Sequence, residues 1–208
     1  MSHMRFFAVL ALVFTGAALR LTGMKVPFLG VDDPTNFAPI GAIAIFCGLH
    51  FRNRLLALAI PLLATFAADL VLAAQNDDFR SYLFSGTMLF VYVSWFLYVV
   101  CGMGLRSFWK KAGVDRSKSI LRGTTLVGTS LLGSVVFFLV SNFGVWVASS
   151  FYPRTMAGLA ECFVAAVPFF RGTLQGDLLY LFGLTAIYAV LCSMITADEK
   201  QSAALYAD

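Results

Sequence analysis

The chain has 208 residues, 60% hydrophobic and 12% charged, with a net charge of +4 and a mean hydropathy of +0.83. A soluble domain carries about twice that charged fraction, so the composition excludes an ordinary soluble enzyme and points to an all-α integral membrane protein. Its basic residues lie between apolar stretches, the pattern that orients a chain in a lipid bilayer and not that of a nucleic-acid partner.

Residues 1–4 read as a cloning remnant, with Ser2-His3-Met4 at its heart, and are set aside. Residues 5–196 read as one transmembrane domain, and 197–208 as a polar cytoplasmic tail. The first span is placed at 6–21. A proline-rich loop with the acidic pair Asp32-Asp33 follows. The second span, 39–51, is short and rich in Gly and Ala. Its roughly 13 residues reach only about 20 Å, so it belongs among other helices, where small residues permit close approach.

The third span, 55–74, holds Pro61 and Asp69, and the fourth, 82–105, is the most aromatic. A basic loop, 106–123, leads to the fifth, 124–149. The stretch 151–180 is apolar but broken by prolines, glycines and charges. Within it, 155–167 is too short to cross, and Pro168 is expected to end it. The sequence therefore predicts a re-entrant or interfacial helix there, then a sixth span at 174–195. The result is a six-helix transmembrane bundle. With both termini inside, Arg5, Arg52, Arg54, Arg106, Lys110, Lys111, Arg116, Lys118, Arg122 and Lys200 share the inner side. Arg20, Lys25, Arg80, Arg154 and Arg171 lie outside. That asymmetry is what a cytoplasmic location of both termini requires.

Asp69 and Asp177 are the strongest chemical signals. A carboxylate inside a span costs a few kcal/mol on insertion scales, so it faces the bundle interior with a partner. Asp69 is expected near the outer end of the third span with Thr65 one turn away. Asp177 is expected three residues into the sixth, sharing a face with Tyr180. Each has a structural alternative: an interhelical bond for Asp69, and helix-dipole compensation for Asp177. Asn142 and Trp146 lie one turn apart, followed by Tyr152 and Arg154 at a turn. Trp146 alone fits an interfacial anchor. Cys162 reads first as a small core residue and second as a soft-metal ligand. The four cysteines are widely spaced and only two histidines occur, so neither a disulfide framework nor a zinc site is indicated, and no cofactor is named.

The candidate ligand-binding set is Asn36, Asp69, Asn142, Trp146, Tyr152, Arg154, Glu161, Cys162, Arg171, Asp177 and Tyr180. It would form an outward pocket walled by Phe143, Trp146, Phe151, Tyr152, Phe169, Phe170 and Tyr180. No catalytic or metal set is identified.

Several motifs occur together. They are Asn36-Phe37-Ala38-Pro39-Ile40-Gly41-Ala42, Ala68-Asp69, Ser141-Asn142-Phe143-Gly144-Val145-Trp146, and Tyr152-Pro153-Arg154-Thr155. Further on come Gly158-Leu159, Cys162, Pro168-Phe169-Phe170 and Gly176-Asp177-Leu178. The set resembles an uncharacterised family of small bacterial membrane proteins, classed as a domain of unknown function. That resemblance implies a multi-pass protein of the bacterial cytoplasmic membrane. In size and span number the family is similar to the substrate-binding S components of energy-coupling-factor vitamin transporters. The likeness implies small-molecule uptake from the outer side with an energising membrane partner.

Two other readings stand beside uptake. One is a structural subunit of a larger membrane complex. The other is an intramembrane aspartyl hydrolase with Asp69 and Asp177 as a proton-sharing dyad. Ala68 before the first aspartate, and the Leu174-Gln175-Gly176-Asp177 sequence, depart from the motifs of that protease class.

Overall fold

The structure, a computed structural model, describes residues 3–21, 39–75, 79, 83–115 and 117–205. These hold six helices: α1 His3–Leu21, α2 Ile40–His50, α3 Arg54–Ala74, α4 Gly86–Lys111, α5 Ser119–Ala148 and α6 Met156–Leu205. The last four are long and apolar enough to cross a membrane. The class is all-helical, as composition implies.

Helix α2 is the hub. It is only 11 residues long, and every residue from Ile40 to Leu49 is buried. Its neighbours are α1, α3, α4, α5 and α6. The crossing with α4 is backbone to backbone. A side chain at Gly48 would strike Val99 O on α4, and one at Gly102 would strike Ile45 O on α2. The two glycines thus let the helices touch, the use expected of small residues in a short apolar span. Around this contact lie Val9 and Val13 of α1, Phe46 of α2, Tyr98 and Val99 of α4, and Leu181 of α6.

One end of the bundle is defined by its cations. Arg5 donates to Thr196 Oγ1 at 3.0 Å, Arg106 donates to Phe51 O, and Arg122 stacks over Trp109 at 4.2 Å. The turn between α2 and α3 closes there. Asn53 caps α3, accepting from the backbone N–H groups of Leu55 and Leu56 at 2.9 and 3.4 Å.

The segment after α5 differs from expectation. Residues 155–167 do not form a separate re-entrant or interfacial helix, and Pro168 does not end one. Met156–Leu205 is a single helix of 50 residues with Pro168 inside it. An interior proline removes one backbone bond and crowds the preceding turn, at a cost of about 3 kcal/mol. Packing on both sides of Pro168 offsets that cost. Phe138 of α5 meets Phe163 at 5.6 Å and Phe170 at 5.0 Å. Cys162 and Ala166 are also buried. At roughly 1.5 Å per residue α6 is about 75 Å long, more than twice a hydrocarbon core of about 30 Å. It pairs with α5 as an antiparallel hairpin. The turn is closed by Trp146 Nε1 donating to Pro153 O at 2.9 Å and by Arg154 donating to Ser149 O at 2.8 Å. Gly158 packs flat against Pro153, where a Cβ has no room.

Candidate functional site

Asp177 lies 21 residues past the first residue of α6, near the middle of its apolar stretch, rather than at a helix start. Helix-dipole compensation therefore does not explain it. The carboxylate is buried, and Oδ2 accepts from Tyr98 Oη of α4 and from Ser134 Oγ of α5, the latter at 2.6 Å. Ser134 Oγ also lies 3.0 Å from Ser130 O. Gly41 of α2 faces Oδ1, and a Cβ there would overlap that oxygen and sit 2.8 Å from Tyr98 Cζ. Tyr98 in turn lies over Gly133, whose missing side chain makes room for the ring. Four helices thus converge on one carboxylate, and two glycines allow it.

Asp69 is buried on α3, and its Oδ2 accepts from Tyr92 Oη at 2.7 Å. Thr65, one turn before it, is buried and donates to Pro61 O at 2.7 Å. The tyrosines that hold the two aspartates are six residues apart on α4. That separates them by about 9 Å along the helix and by well over a quarter turn around it. The two carboxylates therefore bond different tyrosines, on different faces of α4.

A cavity of about 220 Å³ lies between α4, α5 and α6. Val91, Phe137, Phe138, Val145, Ala166, Phe169 and Phe170 supply its apolar wall, and Ser141, Asn142 and Thr173 its polar atoms. These polar side chains bond their own helix. Ser141 Oγ donates to Phe137 O at 2.6 Å, Asn142 Nδ2 to Phe138 O at 2.7 Å, and Thr173 Oγ1 to Phe169 O at 3.4 Å. Both hydroxyl protons are thus committed, and the oxygens present lone pairs. The cavity adjoins the Asp177 cluster. Thr173 is one turn from Asp177 on α6, and Phe137 packs on Tyr98 with ring centroids 6.2 Å apart.

Of the expected site residues, Asn142 lines this cavity, and Asp177 lies one turn away. Cys162 is buried beside it and donates to Asn142 O at 3.4 Å. Among the described residues no group of three metal-ligating side chains occurs. Trp146, Tyr152 and Arg154 belong to the α5–α6 turn, where Trp146 packs on Phe143 at 5.7 Å. Glu161 and Arg171 are exposed, and Tyr180 packs against the core beyond Asp177. Asn36 and the loop around it lie outside the described residues. Of the expected aromatic walls only Phe169 and Phe170 reach the cavity. The sequence offers Gly41 only as part of the Asn36–Ala42 motif and gives no sign of Tyr98 or Ser134 as partners of Asp177, although a buried carboxylate demands donors and Ser130/Ser134 are hydroxyls one turn apart in an apolar span.

The fold defines a class: an all-helical protein with four helices long and apolar enough to cross a membrane, and with buried carboxylates held between helices. Within that class the chain belongs to DUF6580, a family of unknown function whose pattern matches residues 1–200. Comparison with curated proteins and with solved structures gave no match.

Proposed function

We propose that this chain is a six-helix protein of the bacterial cytoplasmic membrane that binds a compact, largely apolar organic molecule in the α4–α5–α6 cavity. The observation that carries the reading is the position of that cavity one turn from a carboxylate buried among four helices. A carboxylate retained at such a depth is costly and marks function by default. Small-molecule sites combine apolar walls with a few polar groups that orient the ligand. About 220 Å³ is below the roughly 300–1,000 Å³ of drug-sized sites, which favours a small occupant. The hydroxyl lone pairs favour one with a hydrogen-bond donor.

The cationic end of the bundle supports placing both termini in the cytoplasm. The cavity then opens in the outer half, where α5 and α6 meet. Uptake with an energising membrane partner, as in S components, is the transport form of this reading, and its support is chain size and helix number. The aspartyl hydrolase has less support, because the two carboxylates bond different tyrosines.

The test is a thermal-shift screen of detergent-purified protein against compact apolar molecules bearing one or two donors. A ligand at a hundredfold excess over its dissociation constant stabilises by about 2.7 kcal/mol. That shift should vanish in Ala166→Phe, which fills the cavity. A ligand that stabilises the variant equally binds elsewhere, and a screen without hits favours a structural subunit.

A further inference from the structure

We propose a second site, for an anionic phospholipid, in the cleft between the α2–α3 turn and the last turns of α4. The cleft has a volume of about 700 Å³ and is lined by Arg52, Arg54, Arg106 and Lys110, with Val100 and Gly104 continuing it along α4. Among the described residues no carboxylate lines it. A general excess of cations at one end of a membrane protein sets orientation, but it does not require them to converge. Here like charges from two separate segments face one hollow, which is unfavourable until an anion enters.

Arg106 is already held by Phe51 O, so the cations at the mouth are Arg52, Arg54 and Lys110, all exposed. Gly104 makes the hollow: a Cβ there meets nothing within 4 Å. Above it on α4 runs an exposed apolar stripe of Leu89, Val93, Phe96 and Val100. Their spacing of four, three and four residues places them on one helix face. A phosphate cradled by cations at the foot of an apolar groove matches a phospholipid, with headgroup in the cleft and an acyl chain along α4. Free phosphate would satisfy the cations and leave the stripe unused.

Native mass spectrometry of the detergent-purified full chain tests this with added phosphatidylglycerol, phosphatidylcholine or inorganic phosphate. Wild type should retain phosphatidylglycerol in preference to phosphatidylcholine, and millimolar phosphate should not displace it. At about 1 kcal/mol per basic residue near a membrane surface, Arg52→Gln/Lys110→Gln should weaken retention about thirtyfold. Gly104→Leu keeps every charge and fills an open position, so it should fold and still lose the lipid; it decides the matter if the double variant does not fold. Lys111→Gln, outside the cleft, should bind as wild type. Equal retention of both lipids, unchanged binding in Gly104→Leu, or displacement by phosphate alone would overturn the proposal.

Discussion

Gly41→Ala should destabilise the protein sharply, although alanine is the better helix former. In a helix interior the exchange alone is worth about 0.5–1 kcal/mol in favour of alanine. At Gly41, however, the new methyl overlaps Asp177 Oδ1 and comes within 2.9 Å of Asp177 Cγ. The carboxylate cannot swing aside freely, because Oδ2 is held by Tyr98 and Ser134. Relief of the overlap therefore breaks at least one buried hydrogen bond, at about 1–3 kcal/mol, on top of an overpacking cost of about 1–3 kcal/mol. The net loss is about 3 kcal/mol. For a chain of this size each kcal/mol moves the midpoint by roughly 2–4 °C, so thermal unfolding in detergent should fall by roughly 6–12 °C. Gly183→Ala is the matched control. Its Cβ meets nothing within 4 Å, and it should raise the midpoint by roughly 2 °C. If the two variants unfold at the same temperature, Gly41 does not face Asp177 and the four-helix cluster is misassigned.

Further outcomes are expected. Tyr92→Phe should cost about 1–3 kcal/mol. In a double-mutant cycle with Asp69→Asn it should show a coupling of about 0.5–3 kcal/mol, whereas Tyr98→Phe with Asp69→Asn should be additive. Asp177→Asn keeps the side-chain shape and should leave the protein folded while impairing ligand binding; loss of stability with binding intact would make Asp177 purely structural. Cysteines placed at Asp115 and Ala160 should be labelled from opposite faces of intact cells, with 160 reached from outside; labelling of 160 only from the cytoplasmic side reverses the orientation. In the α4–α5 loop, Ser117 donates its hydroxyl and backbone N–H to Asp115 Oδ1 at 2.6 and 3.0 Å, and these bonds hold the Asp115 carboxyl below its ordinary range. That contribution is complete above the unfolded-state pKa and is lost as pH falls through the depressed folded value. Ser117→Ala should shift the Asp115 titration upward, read by NMR.

Some features follow from local chemistry and are therefore legible in the chain. Long apolar stretches predict helices of membrane-spanning length: α3 falls within one residue of its expected range, while α4 ends six residues later and α5 starts five residues earlier than expected, taking up much of the expected 106–123 loop. The shortness of the segment after Pro39, with its Gly and Ala, implies burial among other helices, and α2 is buried throughout. Asp69 and Asp177 could be named because a charge in apolar surroundings must be held by partners, whatever the fold. Who those partners are was decided only by tertiary structure. Tyr98 is one aromatic among many in α4, and only the crossings at Gly41 and Gly133 bring it onto Asp177. Pro168 shows the same limit from the other side. Its local effect is to end a helix. Yet Phe138, in contact with Phe163 and Phe170 on either side, carries α6 through it, because distributed packing outweighs one missing hydrogen bond. A helix that continues through Pro168 places Asp177 in mid-helix, which is why its depth was not legible from the sequence.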